Sequence, residues 1–198
     1  MSSSILDGVN IEAALLTGGA SRRMGADKSR LLIDGVPQAR RIADALMAAG
    51  LPVSVLGREP LQGCRLVPDR EELAGPVAAL ANLEPSAELV FVCSCDLPLF
   101  DGRIVGVLRE KLGDHEAAVP VVAGWRQPLC ALYRRQAWDR LGQVEATGRG
   151  CAMRWLDFLD VVLVSEEELW AAGVDPRAAQ GANTRKELEA MLGPSEGP

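Results

Sequence analysis

Leu15-Leu16-Thr17-Gly18-Gly19-Ala20-Ser21-Arg22-Arg23-Met24-Gly25-Ala26-Asp27-Lys28 continues a mostly apolar run that begins at Ile11. Ile11 to Leu16 reads as a buried strand. Gly18, Gly19 and Gly25 then allow backbone turns closed to other residues and a close approach to a ligand. Ala20 and Ser21 are small and keep the loop open. Arg22, Arg23 and Lys28 bring three cations to one place. A strand ending in a glycine loop with cations is a device for holding phosphate, because backbone N–H groups point inward and the cations neutralise the charge.

Counting excludes two other phosphate loops. A Walker loop has four residues between its glycines and Lys directly after the second. Here five residues separate Gly19 from Gly25, and Lys28 comes three later. The dinucleotide pattern G-x-G-x-x-G is absent. A plain turn with a solvated charged face is the rival reading, and the density of glycine and cation in one loop favours phosphate.

Outward from this loop the chain alternates strand and helix. Leu31-Leu32-Ile33 reads as a short extended piece turned at Asp34-Gly35. A helix is expected from Val36 to Ala49, with Ala39, Ile42, Ala43, Leu46 and Met47 on one face and Gly50 as its C-cap. Val53 to Leu56 and Arg65 to Val67 are strands. Gly75-Pro76 opens a helix through Leu83. Glu88 to Cys95 holds the continuous apolar run of a central parallel strand, and Asp101 caps a helix through Leu112. Ala117 to Val122 and Pro128 to Tyr133 read as a hairpin about Gly124. Arg134 to Leu141 and Gly150 to Leu159 read as helices, and Asp160 to Val164 as a strand. Ser165-x-x-Glu168 and Thr184-x-x-Glu187 are capping-box patterns that start two more helices. The expected fold is α/β: a Rossmann-like, doubly wound, mostly parallel sheet with a hairpin insertion in its second half. Residues 11–192 make one domain between a flexible N-terminus, 1–10, and a flexible tail, 193–198.

Composition narrows the function classes. The chain has 198 residues, 48% of them hydrophobic, and a net charge of −6. With no long basic run, nucleic acid is not expected as a partner. Arg22 to Arg41 is the exception, with six cations against two acids, which suits a small anionic ligand. The five cysteines show no framework spacing and read as reduced and structural. The first ten residues lack a signal peptide's pattern, and no apolar run approaches a membrane span, so no membrane is expected and the protein is expected in the cytoplasm.

Ligands of a doubly wound sheet sit outside the carboxyl ends of its strands. The loop after Leu16, Asp69 and Asp96 all fall there. Asp96 is a candidate magnesium ligand beside a triphosphate, since magnesium takes few carboxylates plus phosphate oxygens; a turn cap is the other reading. Asp69 fits a turn as well as a site. His115, the sole histidine, is expected to be exposed, so no histidine-based nucleophilic arrangement can be built. Catalysis then reduces to alignment and charge neutralisation, for which Lys28, Arg23 and magnesium on Asp96 suffice. Trp125 and Arg126 either line an acceptor pocket or pack a hairpin core. Trp138, Trp155 and Trp170 read as core or rim.

Leu16 to Lys28 resembles the L-x-G-G-x-S-x-R-M-G-x-D-K signature of the molybdenum cofactor guanylyltransferases. Val67-Pro68-Asp69 with Gly75-Pro76, Cys95-Asp96-Leu97-Pro98, Pro128 to Tyr133 and Asn183-Thr184 are similar to that family's later motifs, in the same order. The resemblance implies the nucleotidyltransferase fold of the nucleotide-diphospho-sugar transferase type. It also implies one reaction: GMP passes from GTP to the terminal phosphate of molybdopterin, releasing pyrophosphate and forming the guanine dinucleotide cofactor. Carried over, Leu16, Thr17, Gly18 and Gly19 line the nucleotide, Arg23 and Lys28 contact phosphates, Asp69 contacts nucleotide, and Asp96 holds magnesium and nucleotide together. The Asn183-Thr184 region lies toward the pterin. Molybdenum-insertion proteins and apo-molybdoenzymes are the implied transient partners.

Three positions depart from the family pattern. Leu56 stands where some relatives use Asn for the nucleotide, Thr17 replaces Ala, and Arg185-Lys186 replace Pro and an acid. A cytidylyltransferase, another nucleotidyltransferase on this scaffold and a silent nucleotide-binding module remain as alternatives. Intact Lys28 and Asp96 speak against the last.

Overall fold

A computed structural model describes residues 9–18, 32–33, 35–69, 75–147, 150–182 and 184–193. The first strand, β1, spans Ile11–Leu16 and is buried along its whole length. Its inward positions divide by parity. Ala13 and Leu15 join one core cluster and Ala14 and Leu16 the other, as the two-residue period of a strand requires when both faces are covered.

β2 (Leu32–Ile33) and β3 (Val36–Pro37) form a small antiparallel pair about Gly35. Helix α1 spans Gln38–Ala48. Its start is later than the periodicity suggests because Val36 and Pro37 pair with β2 first. Its end is the expected one. Gly50 has φ +85°, its N–H reaches the Met47 carbonyl at 2.9 Å, and Leu51 N–H reaches Leu46 at 3.1 Å. This is a Schellman termination, and only glycine enters that left-handed turn without strain.

β4 (Val53–Gly57), β5 (Arg65–Pro68), α2 (Pro76–Ala81), β6 (Leu89–Ser94) and α3 (Ile104–Leu112) follow. After them come β7 (Ala117–Val122), β8 (Trp125–Arg126) and β9 (Cys130–Arg134). A 3-10 turn over Arg135–Arg140 leads into α4 (Leu141–Ala146), then α5 (Ala152–Leu156), β10 (Val161–Val164) and α6 (Glu166–Ala171). A second 3-10 turn, Pro176–Ala179, precedes α7 (Arg185–Leu192). Both expected capping boxes are complete, at Ser165 with Glu168 and at Thr184 with Glu187.

The main sheet runs β10-β7-β9-β6-β1-β4-β5, with β8 beside β7. β6, β1, β4 and β5 are parallel, and β9 runs against both β6 and β7. β6 is therefore parallel on one side only. The expected hairpin is split. The tight turn at Ala123-Gly124 joins β7 to β8, and residues 127–129 leave the ladder before β9 resumes it. Gln127 N–H still reaches the Pro120 carbonyl at 2.9 Å, on the edge of β7 that β9 uses. β8 is thus an outlying piece of the β9 lane.

One face of the sheet is covered by α1, α3, α6 and the Pro176–Ala179 turn, the other by α2, α4 and α5. On the second face Tyr133 stacks on Trp155 at 4.3 Å, and Trp138 meets Trp155 edge-on at 5.3 Å. Each polar tip is satisfied: Tyr133 donates to the Pro128 carbonyl at 2.7 Å, Trp155 to Ala137 and Trp138 to Leu80, both at 3.1 Å. Burial pushes the Tyr133 phenol up, out of reach of ordinary pH. Glu12 is buried and accepts the N–H groups of Ser86 and Ala87 at 2.6 and 3.0 Å, tying β1 to the turn before β6. Among the described residues, no helix is long and apolar enough to cross a membrane.

Candidate active site

The strand order decides which loops meet. β1 sits between β6 and β4, and the chain leaves β1 toward β4 and β5 before returning to lay β6 on its other side. That reversal opens a crevice at the carboxyl ends of β1 and β6. Into it come Thr17 and Gly18 after β1, Asp69 after β5 and Asp96 after β6.

Backbone bonds fasten these ends together. Cys95 N–H donates to the Leu16 carbonyl at 2.9 Å, and Thr17 N–H to Leu56 at 2.9 Å. The Thr17 hydroxyl also reaches Leu56, at 3.2 Å. Leu16 itself is core, so of this residue only backbone is left to the crevice. Leu56 is likewise 1% exposed and packs in the same core cluster, so its side chain cannot take the place of an Asn reaching a ligand.

Two glycines make the crevice by what they omit. A Cβ on Gly18 would stand 2.8 Å from Asp69 Oδ2, so the Asp69 carboxylate leans across a strand lane and lies over bare backbone. A Cβ on Gly57 would stand 2.3 Å from Thr17 Oγ1, so the Thr17 hydroxyl occupies the space a side chain at 57 would fill. The sequence reading marked Gly18 but passed over Gly57, whose only signal is a glycine at the end of an apolar run.

Asp96 is held on three sides. Ser94 Oγ donates to its Oδ1, a contact that sequence reasoning missed. Its carbonyl accepts Ala182 N–H at 2.9 Å. Its carboxylate faces Gly181, where an added Cβ would sit 3.3 Å from Oδ1. The segment before α7 is thereby stitched to the end of β6. Thr184 caps α7 and leaves Arg185 and Lys186 exposed in its first turn, so the departure from the family pattern there does not disturb the helix start. Gly19, Arg23, Lys28 and Asn183 lie outside the described residues.

The remaining candidates fall elsewhere. His115 is half-buried rather than exposed, with Nδ1 3.1 Å from Asp160 Oδ1. It precedes β7, at the amino ends of the strands and so at the opposite end of the sheet from the crevice. Trp125 is 72% exposed and so is not hairpin core. Arg126 points to the other face, where its guanidinium lies 3.5 Å from Asp157. Cys93, Cys95 and Cys130 are buried thiols, and burial pushes those of Cys93 and Cys130 up, which makes them inert.

Residues 13–163 match the family model for a MobA-like NTP transferase domain. The chain belongs to that family. The MobA-like assignment is reinforced by a probable molybdenum cofactor guanylyltransferase from Natronomonas pharaonis, 34% identical over 88% of this chain and 93% of the relative. Two solved structures share the MobA-like fold. Molybdopterin-guanine dinucleotide biosynthesis protein A from Archaeoglobus fulgidus superposes with a TM-score of 0.74 at 21% identity, covering 90% of this chain and 95% of that one. A 2-C-methyl-D-erythritol 4-phosphate cytidylyltransferase from Thermus thermophilus superposes at 0.65 with 19% identity, covering 90% and 97%. The MobA-like chain is thus a nucleotidyltransferase, and it shares the α/β fold of these two structures.

Proposed function

We propose that this nucleotidyltransferase moves GMP from GTP to the terminal phosphate of molybdopterin. The observation that carries the reading is Asp96, tethered at the crevice between β1 and β6 in a chain 34% identical to a probable molybdenum cofactor guanylyltransferase. The acceptor phosphate is already ionised, so no base has to be recruited. Its oxygen forms a bond to the α-phosphorus, the bond from that phosphorus to the bridging oxygen breaks, and pyrophosphate leaves. Leu16, Thr17, Gly18 and Gly19 would line the nucleotide, with the Thr17 and Gly18 N–H groups turned to the Leu56 carbonyl, Arg23 and Lys28 would neutralise the triphosphate, and Asp69 would meet the nucleotide.

The donor set suits magnesium. Among the described residues no cluster of three or more potential metal ligands exists, and magnesium commonly keeps one or two carboxylates with waters and phosphate oxygens. Asp96 would hold it, and when bound it would supply charge neutralisation on the polyphosphate. The product would pass to apo-molybdoenzymes in the cytoplasm, by way of molybdenum-insertion proteins.

Incubating the protein with magnesium, molybdopterin and either GTP or CTP, and measuring pyrophosphate and dinucleotide, tests the reading. Turnover with GTP over CTP is expected. A preference for CTP would overturn the guanine assignment. No turnover with either would leave a different acceptor or a binding module.

A further inference from the structure

The described residues include one non-glycine with positive φ, Ala123 at +51°, followed by Gly124 at +78°. This is the backbone of a tight I′ turn, a position that favours Asn or Gly over Ala. The turn is pinned as well as strained. Ala123 N–H donates to Glu166 Oε1 at 2.7 Å, and the Gln127 amide donates to the Trp125 carbonyl at 3.1 Å. What this rigid turn presents is Trp125, an indole left 72% exposed.

The registers place that indole. Ala118 pairs with Leu132, which pairs with Phe91, so four residues further along both lanes Val122 is level with Cys95. Trp125 is the direct partner of Val122. It therefore stands level with Cys95-Asp96, one to two strand spacings away, or roughly 5–10 Å in backbone terms. Directly opposed residues of an antiparallel pair share a face. Val122 packs in the cluster that contains Val174, Ala178 and Ala179, and so Trp125 shares the face from which Gly181-Ala182 reaches Asp96. Thr17, Gly18 and Asp69 lie on the other side of Asp96, toward β4 and β5.

We propose that Trp125 is the aromatic wall of the acceptor site, a specificity residue on which the planar heteroaromatic ring of the phosphate-bearing acceptor stacks while its phosphate lies at Asp96. The proposal rests on the guanylyltransferase reading above and adds the residue that selects a flat, ring-bearing acceptor over a saturated sugar phosphate. A rigid indole suits this role because stacking needs a fixed face more than hydrogen bonds.

Steady-state kinetics with molybdopterin as acceptor test it. Trp125→Ala should raise the acceptor KM about tenfold, the scale of one lost ring stack, with GTP KM and melting temperature unmoved. Trp125→Phe should keep the acceptor KM within about threefold, since a smaller ring still stacks. It should also remove part of the tryptophan fluorescence quenched on adding molybdopterin. An unchanged acceptor KM in Trp125→Ala, with wild-type turnover intact, overturns this proposal alone. Absence of wild-type turnover overturns the reading beneath it.

Discussion

A Cβ at position 57 would meet the Thr17 hydroxyl at 2.3 Å, and that single distance couples two residues 40 positions apart. Gly57→Ala should cost about 1–3 kcal/mol through overpacking. Thr17→Ala alone should cost about 1 kcal/mol through its lost hydrogen bond to Leu56. The double variant should lose less than the two together, because the methyl then enters space the hydroxyl has left. Urea denaturation of the four proteins checks this. Ser94 offers a second test. Its hydroxyl fixes one Asp96 oxygen. Ser94→Ala should leave the urea midpoint close to wild type but raise the half-saturating magnesium concentration for pyrophosphate release about tenfold, the scale of one charge-assisted hydrogen bond; Ser94→Thr should restore it. Asp69 and Asp96 were legible in the chain as carboxylates directly after strands. Ser94 and Gly57 were not, because a serine or glycine at a strand end is common and its partner is set only when distant strands pair.

Helix starts and stops were the most legible elements, since each rests on chemistry within a few residues. Both capping boxes and the Gly50 termination needed no tertiary information. Asp101 misses the cap position expected of it, because Arg103 is the N-cap of α3 and has no side-chain cap bond, but it still acts locally. Its carboxylate accepts Arg103 N–H at 2.9 Å and the Arg103 guanidinium at 2.6 Å, ahead of α3. The guanidinium holds the Asp101 carboxyl below its ordinary value of 3.8. A carboxylate depressed in the folded state adds stability above its unfolded pKa and loses it as pH falls through the folded one. Asp101→Asn loses the ion pair with Arg103 and should cost about 0.2–1 kcal/mol at neutral pH, with the gap to wild type closing below pH 3.8; thermal melts from neutral pH down to about pH 3 would read it. The hairpin was only half legible. Gly124 marked the turn, but the excursion of residues 127–129 depends on the Leu129 carbonyl accepting the Ser94 N–H, a contact between distant strands.

At the scale of the molecule, the two cores are unequal in kind. The face under α1 and α3 is largely aliphatic, with Phe91 and Phe100 as its aromatic pair, whereas the face under α2, α4 and α5 is built on Tyr133, Trp138 and Trp155. Trp155 is fully buried at the centre of that group. Trp155→Ala should cost about 3–5 kcal/mol in urea and remove most of the near-ultraviolet dichroism. Alternation of strand and helix made the layered architecture readable early, and the hairpin about Gly124 already set β9 against β7; that β9 also lies against β6 was not readable, because the order of strands across a sheet is fixed only when distant segments pair. The bond from Ala182 to the Asp96 carbonyl has a consequence for how the enzyme comes into being. A nascent chain paused on the ribosome before residue 181 already carries both acidic groups, yet lacks the backbone that braces one of them. The brace on Asp96 therefore forms only once residues 181 and 182 have been added, and a polypeptide cut short before them would hold the same strands with that carboxylate less firmly placed.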